Sequence, residues 1–132
     1  MTSPNEILES AGIAMPEATG LELDTLTLVL LIDVPDNGRF SKEELQRLAN
    51  EHLEHIIGLT VAGHVVHAGA LIDRRNDPKF TGIGLSRLSE DELRPLLEQD
   101  PMYEAGLIAL RFTTHVFPKG SVQFARELGE GV

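Results

Sequence analysis

The chain has 132 residues and no cysteine, a size that folds as one ordinary domain on its apolar core and a composition that excludes disulfides, thiolate metal sites and a cysteine nucleophile. Its 21 acidic against 11 basic residues give a formal charge of −10, a field that repels phosphate backbones and argues against nucleic acid as a partner. The longest apolar run, Leu28 to Ile32, is too short to span a bilayer, and the first residues lack the basic start and long apolar stretch of a secretion signal, so a soluble, cytoplasmic protein with no membrane partner is expected.

Residues 1–22 read as an arm or short helix, because Ser3-Pro4-Asn5-Glu6 has capping spacing with proline at the first helical position and Gly12 is placed to stop it. From Leu23 to Val34 the pattern is a strand, with Leu26, Leu28, Leu30 and Ile32 on one face and Thr27, Val29 and Leu31 on the other. The turn Pro35-Asp36-Asn37-Gly38 leads to a second capping box, Ser41 to Glu44. The helix it opens carries Leu45, Leu48, His52, Ile56 and Leu59 on one stripe and ends at Gly63. Val65 to Ile72 and Phe80 to Leu88 alternate as two short strands joined by the loop Arg74-Arg75-Asn76-Asp77-Pro78. A third box, Ser89 to Glu92, starts a helix with Leu93, Leu96 and Leu97 that Pro95 should bend and Asp100-Pro101 should close. Leu107 to Phe117 is the fourth strand, and residues 119–132 form a tail.

The order is βαββαβ over residues 23–118, an α+β fold of ferredoxin-like topology with a four-stranded antiparallel sheet. Its helices cover one sheet face, and the other face calls for a cover. A second copy is the usual one in a domain this small, so a homodimer, open to higher assembly, is expected.

The stretch from His52 through Gly58 and Gly63 to Ala68-Gly69 resembles the central signature of the YCII-related (YciI-like) family, a helical histidine followed by glycine and a strand ending in Ala-Gly. Ser89 and the segment Asp100-Pro101-Met102-Tyr103-Glu104-Ala105-Gly106 continue the likeness, which spans roughly Leu26 to Pro118. The resemblance implies a dimeric α+β barrel with a cleft between sheet and helices, and a His-Asp catalytic pair that falls on His52 and Asp100. The longer N-terminal segment, the extra length between Gly106 and Pro118, and Ala70-Leu71 where a proline often stands depart from the family pattern and bear on pocket shape.

His52 is the sharpest candidate on chemistry alone. A histidine on an apolar stripe loses water, and a carboxylate partner tunes it as an acid or base near neutral pH. The plainer role is a buried histidine bonded for structure, and that of Asp100 is a turn or cap residue. His67 and His115 sit on strand faces that can line a cleft, pack at a dimer interface or meet solvent. Arg74 and Arg75, with Lys79, can steer an anionic substrate or simply be solvated. Five histidines invite a metal, but Glu51-His52-Leu53-Glu54-His55 matches neither zinc-helix motif, and Glu51 with His55 reads as a helix-surface pair, so no metal and no cofactor are expected. Gly82 and Gly84 lie too deep in a strand pattern for a phosphate-binding loop.

The expectation leans towards an enzyme. Its chemistry would be cofactor-independent acid–base catalysis on a small organic metabolite, of lyase, isomerase or dehydrohalogenase type, with His52 moving the proton and Asp100 orienting it. The alternatives are a non-catalytic small-molecule-binding or regulatory module using the same cleft, and a cofactor-free monooxygenase.

Overall fold

The computed structural model describes residues 3–12, 22–73, 78–125 and 127. Three serines start helices as their spacing predicts. Ser3 accepts the Glu6 N–H at 3.2 Å and opens α1 (Pro4–Ser10). Ser41 and Ser89 form reciprocal capping boxes with Glu44 and Glu92 and open α2 (Lys42–Val61) and α3 (Glu90–Leu97). Each cap satisfies backbone donors that the first helical turn leaves orphaned, for about 1 kcal/mol apiece.

The strands are β1 (Leu23–Asp33), β2 (His67–Ala70), β3 (Phe80–Ser86) and β4 (Ile108–Pro118). They make one antiparallel sheet in the order β2-β3-β1-β4, the ferredoxin-like α+β arrangement. The register separates its two faces. Val29 pairs with Gly84 and Phe112, and these residues, with Leu31 and Leu110, lie on the helix side. Leu30 pairs with Ile83 and Arg111, which lie on the outer side with Leu28 and Leu85. The core forms on the helix side from Val29 and Leu31 of β1, Ile108 of β4, Leu59 of α2, and Leu93 and Leu97 of α3.

The alternation correctly divides β1 into two faces, but both are apolar and the pattern does not say which one meets the helices. It is the Val29–Leu31 face, and the leucine-richer face points outward with Leu28, Leu30 and Ile32 half-buried. On the outer face Leu26 and Phe117 are fully buried, and α1 lies against β1.

Two boundaries differ from the sequence reading. β2 has only four residues, because Val65 turns inward to the core before the strand begins and the pairing with β3 starts at His67. A separate short helix, α4 (Pro101–Glu104), follows α3, so Asp100-Pro101 opens a helix rather than only closing one. Pro101 fits its first position, where no amide donor is needed, and Gly106 at φ 73° turns the chain into β4.

Candidate functional site

α2 packs against β2 and α4 and carries His52, which is half-buried. Asp100 is 1% exposed and caps α4, its Oδ1 accepting the Met102 N–H at 2.8 Å. Its second oxygen, Oδ2, bonds the Nδ1 of His52. A carboxylate offers only acceptors, so Nδ1 carries the proton and Nε2 is left with its lone pair in the neutral ring. Two residues 48 positions apart are thus joined, with the carboxylate fixed at both oxygens.

His52 lines a cavity of about 440 Å³ between α2 and the β2–β3 edge of the sheet. The cavity exists because the sheet there has almost no side chains on its helix side. Ala68 and Ala70 of β2 and Gly82 and Gly84 of β3 make the floor, while Val29 and Leu31 close the inner wall. A Cβ on Gly84 would lie 3.0 Å from Val29 Cγ1, and one on Gly82 would lie 3.1 Å from the Gly69 carbonyl oxygen. A side chain at either glycine would therefore crowd its neighbour as well as fill the floor. Along the other side run Leu53, Ile57 and Val61 of α2, at 57%, 60% and 57% exposure. Among the described residues lining this cavity none is Lys, Arg, Asp or Glu.

Of the other residues singled out in the sequence, His67 opens β2 at the rim of the same cavity and is exposed, but its pairing with Leu85 turns its side chain to the outer face of the sheet, away from His52. His115 pairs with Leu26 on the outer face of the sheet, with its ring stacked 5.3 Å from that of Phe117, so the fold does not bring it to His52. Arg74 and Arg75 lie outside the described residues. The expected Glu51–His55 pair does not form. Glu51 pairs with Arg47 at 3.1 Å instead, and His55 donates from Nε2 to the Leu96 carbonyl at 2.8 Å. That carbonyl sits in the last turn of α3, where intrahelical donors run out, and His55 supplies one from α2. The histidine pair three apart therefore divides its labour: one ring faces Asp100, the other braces the helix that precedes it.

Polar contacts also join the elements that flank Asp100. Tyr103 donates its hydroxyl to Glu98 Oε2 at 2.9 Å, and the bond to that carboxylate pushes the Tyr103 pKa up. The Arg94 guanidinium lies 4.5 Å over the Phe112 ring, and its bond to Glu90 raises its own pKa. Arg39 reaches the Ala105 and Gly106 carbonyls at 3.5 Å each, tying the loop before α2 to the end of α4. Chemically, an imidazole held by a carboxylate on the wall of a largely apolar chamber is suited to accepting and returning a proton.

No protein-family model matches the chain, and no curated protein matches it. Among solved structures the chain is similar to a 5-chloro-2-hydroxyhydroquinone dehydrochlorinase from Burkholderia phenoliruptrix in complex with 2,5-dihydroxybenzoquinone, at 21% identity and a TM-score of 0.44, over 70% of this chain and 90% of that one. It is also similar to a de novo designed protein, Ferredog-Diesel, at 15% identity and a TM-score of 0.40, over 76% of this chain and 94% of that one. Among the described residues no helix is long and apolar enough to cross a membrane.

Proposed function

We propose that the chamber beside α2 is an active site for acid–base chemistry on a small organic molecule, with His52 as the base and Asp100 as the residue that orients it. One observation carries this reading: a histidine on the chamber wall has Nδ1 bonded to a buried carboxylate that is itself pinned by the Met102 amide. In the proposed step a substrate C–H or O–H gives its proton to Nε2. The electron pair left behind forms a new double bond as a leaving group departs with its own pair, or the proton returns at another carbon. These two courses are elimination and isomerisation. The Asp100 carboxylate stabilises the transient imidazolium and holds the ring in the tautomer that keeps Nε2 free. Low polarity around the ring strengthens both effects. The resemblance of the His52 and Asp100 segments to the YCII-related family supports the same assignment.

The functional unit we propose is a homodimer closed over the outer sheet face, where Leu28, Leu30 and Ile32 stand half-buried beside Ile83 and Leu85.

The test is solvent hydrogen–deuterium exchange at carbons next to carbonyl groups, followed by proton NMR over a panel of small keto, enol and lactone compounds. The wild-type chain should catalyse exchange in at least one class, and His52→Ala should abolish it while binding of that compound changes by less than about three-fold. Equal loss of exchange and binding would make the chamber a binding site without chemistry.

A further inference from the structure

The chamber is not shaped for a compact molecule alone. It follows α2 from His52 to Val61, nine residues at ~1.5 Å of rise each, so it is roughly 13 Å long. Its polar groups and its apolar wall are segregated along that length. His52, held by its carboxylate, stands towards one end. Beyond them the helix side presents Leu53, Ile57 and Val61 at four-residue spacing, each more than half exposed and facing an alanine- and glycine-floored slot. Three large apolar side chains left in solvent on one line of an otherwise charged helix are costly unless something covers them. The slot beneath them has depth and volume, which an apolar chain can fill, and no charged side chain lines it among the described residues.

From this we infer that the ligand of this site is elongated and amphipathic: a small polar head, a ring or carbonyl group, lies between His52 and Leu53, and an uncharged alkyl tail of about six carbons runs under Ile57 to Val61. The tail length follows from the chamber. A ring-sized head takes up nearly half of its length, and each further carbon advances roughly 1.3 Å, given a C–C bond near 1.5 Å. A volume of about 440 Å³ accommodates such a molecule and falls within the ordinary range for small-molecule sites. The position of the head rests on the proposed role of His52. The tail slot does not.

The experiment is isothermal titration of the full chain with 4-alkylphenols, from methyl to octyl. Affinity should tighten by roughly two- to four-fold per methylene, the upper figure corresponding to full burial, and level off near the sixth carbon. Val61→Lys places a charge at the far end on an already exposed position, so the fold is retained. It should leave the methyl and ethyl members unchanged and remove the gain from the longer ones. His52→Ala should weaken every member by one common factor and leave the slope intact. An affinity independent of tail length, or an unchanged slope in Val61→Lys, would overturn the inference. A normal slope together with no proton exchange in the wild type would leave the slot standing and remove the catalytic reading.

Discussion

Replacing Asp100 separates its two bonds, because alanine removes both and asparagine keeps one. In Asp100→Ala the Met102 amide loses its cap acceptor, a cost of about 1 kcal/mol. The His52 Nδ1–H loses a hydrogen bond to a charged acceptor, for about 1.5–3 kcal/mol more. The site is 1% exposed, so water does not replace either bond freely. The sum is roughly 2.5–4 kcal/mol. In Asp100→Asn the side-chain carbonyl can still accept from Met102, and the NH2 group then faces His52, whose ring must turn Nδ1 into an acceptor. A neutral bond replaces a charged one, and the loss should stay below about 1.5 kcal/mol. Urea denaturation followed by circular dichroism reads both, and with a slope of about 1–3 kcal/mol per molar the alanine variant should shift the midpoint by roughly 1–4 M. A cycle with His52→Ala should return a coupling of about 1.5–3 kcal/mol between the two residues. A cost below about 1 kcal/mol for Asp100→Ala, or a coupling near zero, would refute this accounting.

Three further outcomes follow from the same structure. Leu93 is 0% exposed at the centre of the helix-side core, so Leu93→Ala should cost about 2–5 kcal/mol in the same urea assay. Burial pushes the Asp24 carboxyl up, but the Thr25 amide and the Arg87 guanidinium at 2.9 Å outweigh it and hold its pKa below the ordinary 3.8. A depressed carboxylate stabilises the fold above its unfolded pKa and loses that contribution as pH falls through the folded value. Asp24→Asn should therefore lower Tm at neutral pH, with the difference from wild type closing below the ordinary value of 3.8; a constant difference down to full protonation would contradict the sign. If the proposed homodimer forms over the outer face, the wild type should sediment as a dimer at micromolar concentration, and Leu30→Lys, placed opposite Ile83 and Arg111, should yield folded monomers by sedimentation velocity. A wild-type monomer would remove the dimer.

Much of the fold is legible in the residues because its signals are local. Ser41 and Ser89 with glutamates three residues on start helices, and the alternation of Leu26 to Ile32 against Thr27 to Leu31 makes a strand. What stays hidden depends on contacts distant along the chain. Both faces of β1 are apolar, so only packing against α2 and α3 shows that Val29 and Leu31 face the core. α4 is four residues long, too short for any periodicity, and only Asp100-Pro101 marks it. The His52–Asp100 contact closes across 48 positions, and spacing alone offers no route to it; the family resemblance supplied the pairing. His55 looked like a surface residue because its acceptor is a backbone carbonyl on another helix, which no side-chain pattern reports. The chamber floor did leave a trace, in the small residues of His67-Ala68-Gly69-Ala70 and Gly82-Ile83-Gly84, where strands ordinarily carry larger side chains.

The central claim is that Asp100 holds the His52 ring with Nδ1 protonated and Nε2 available to a ligand. Long-range proton–nitrogen NMR of the imidazole rings tests it directly, in the wild type and in Asp100→Asn at a pH where the rings are neutral. The account predicts the Nδ1–H tautomer for His52 in the wild type and the Nε2–H tautomer in Asp100→Asn. A wild-type His52 that carries its proton on Nε2, or a tautomer that ignores the substitution, would contradict it.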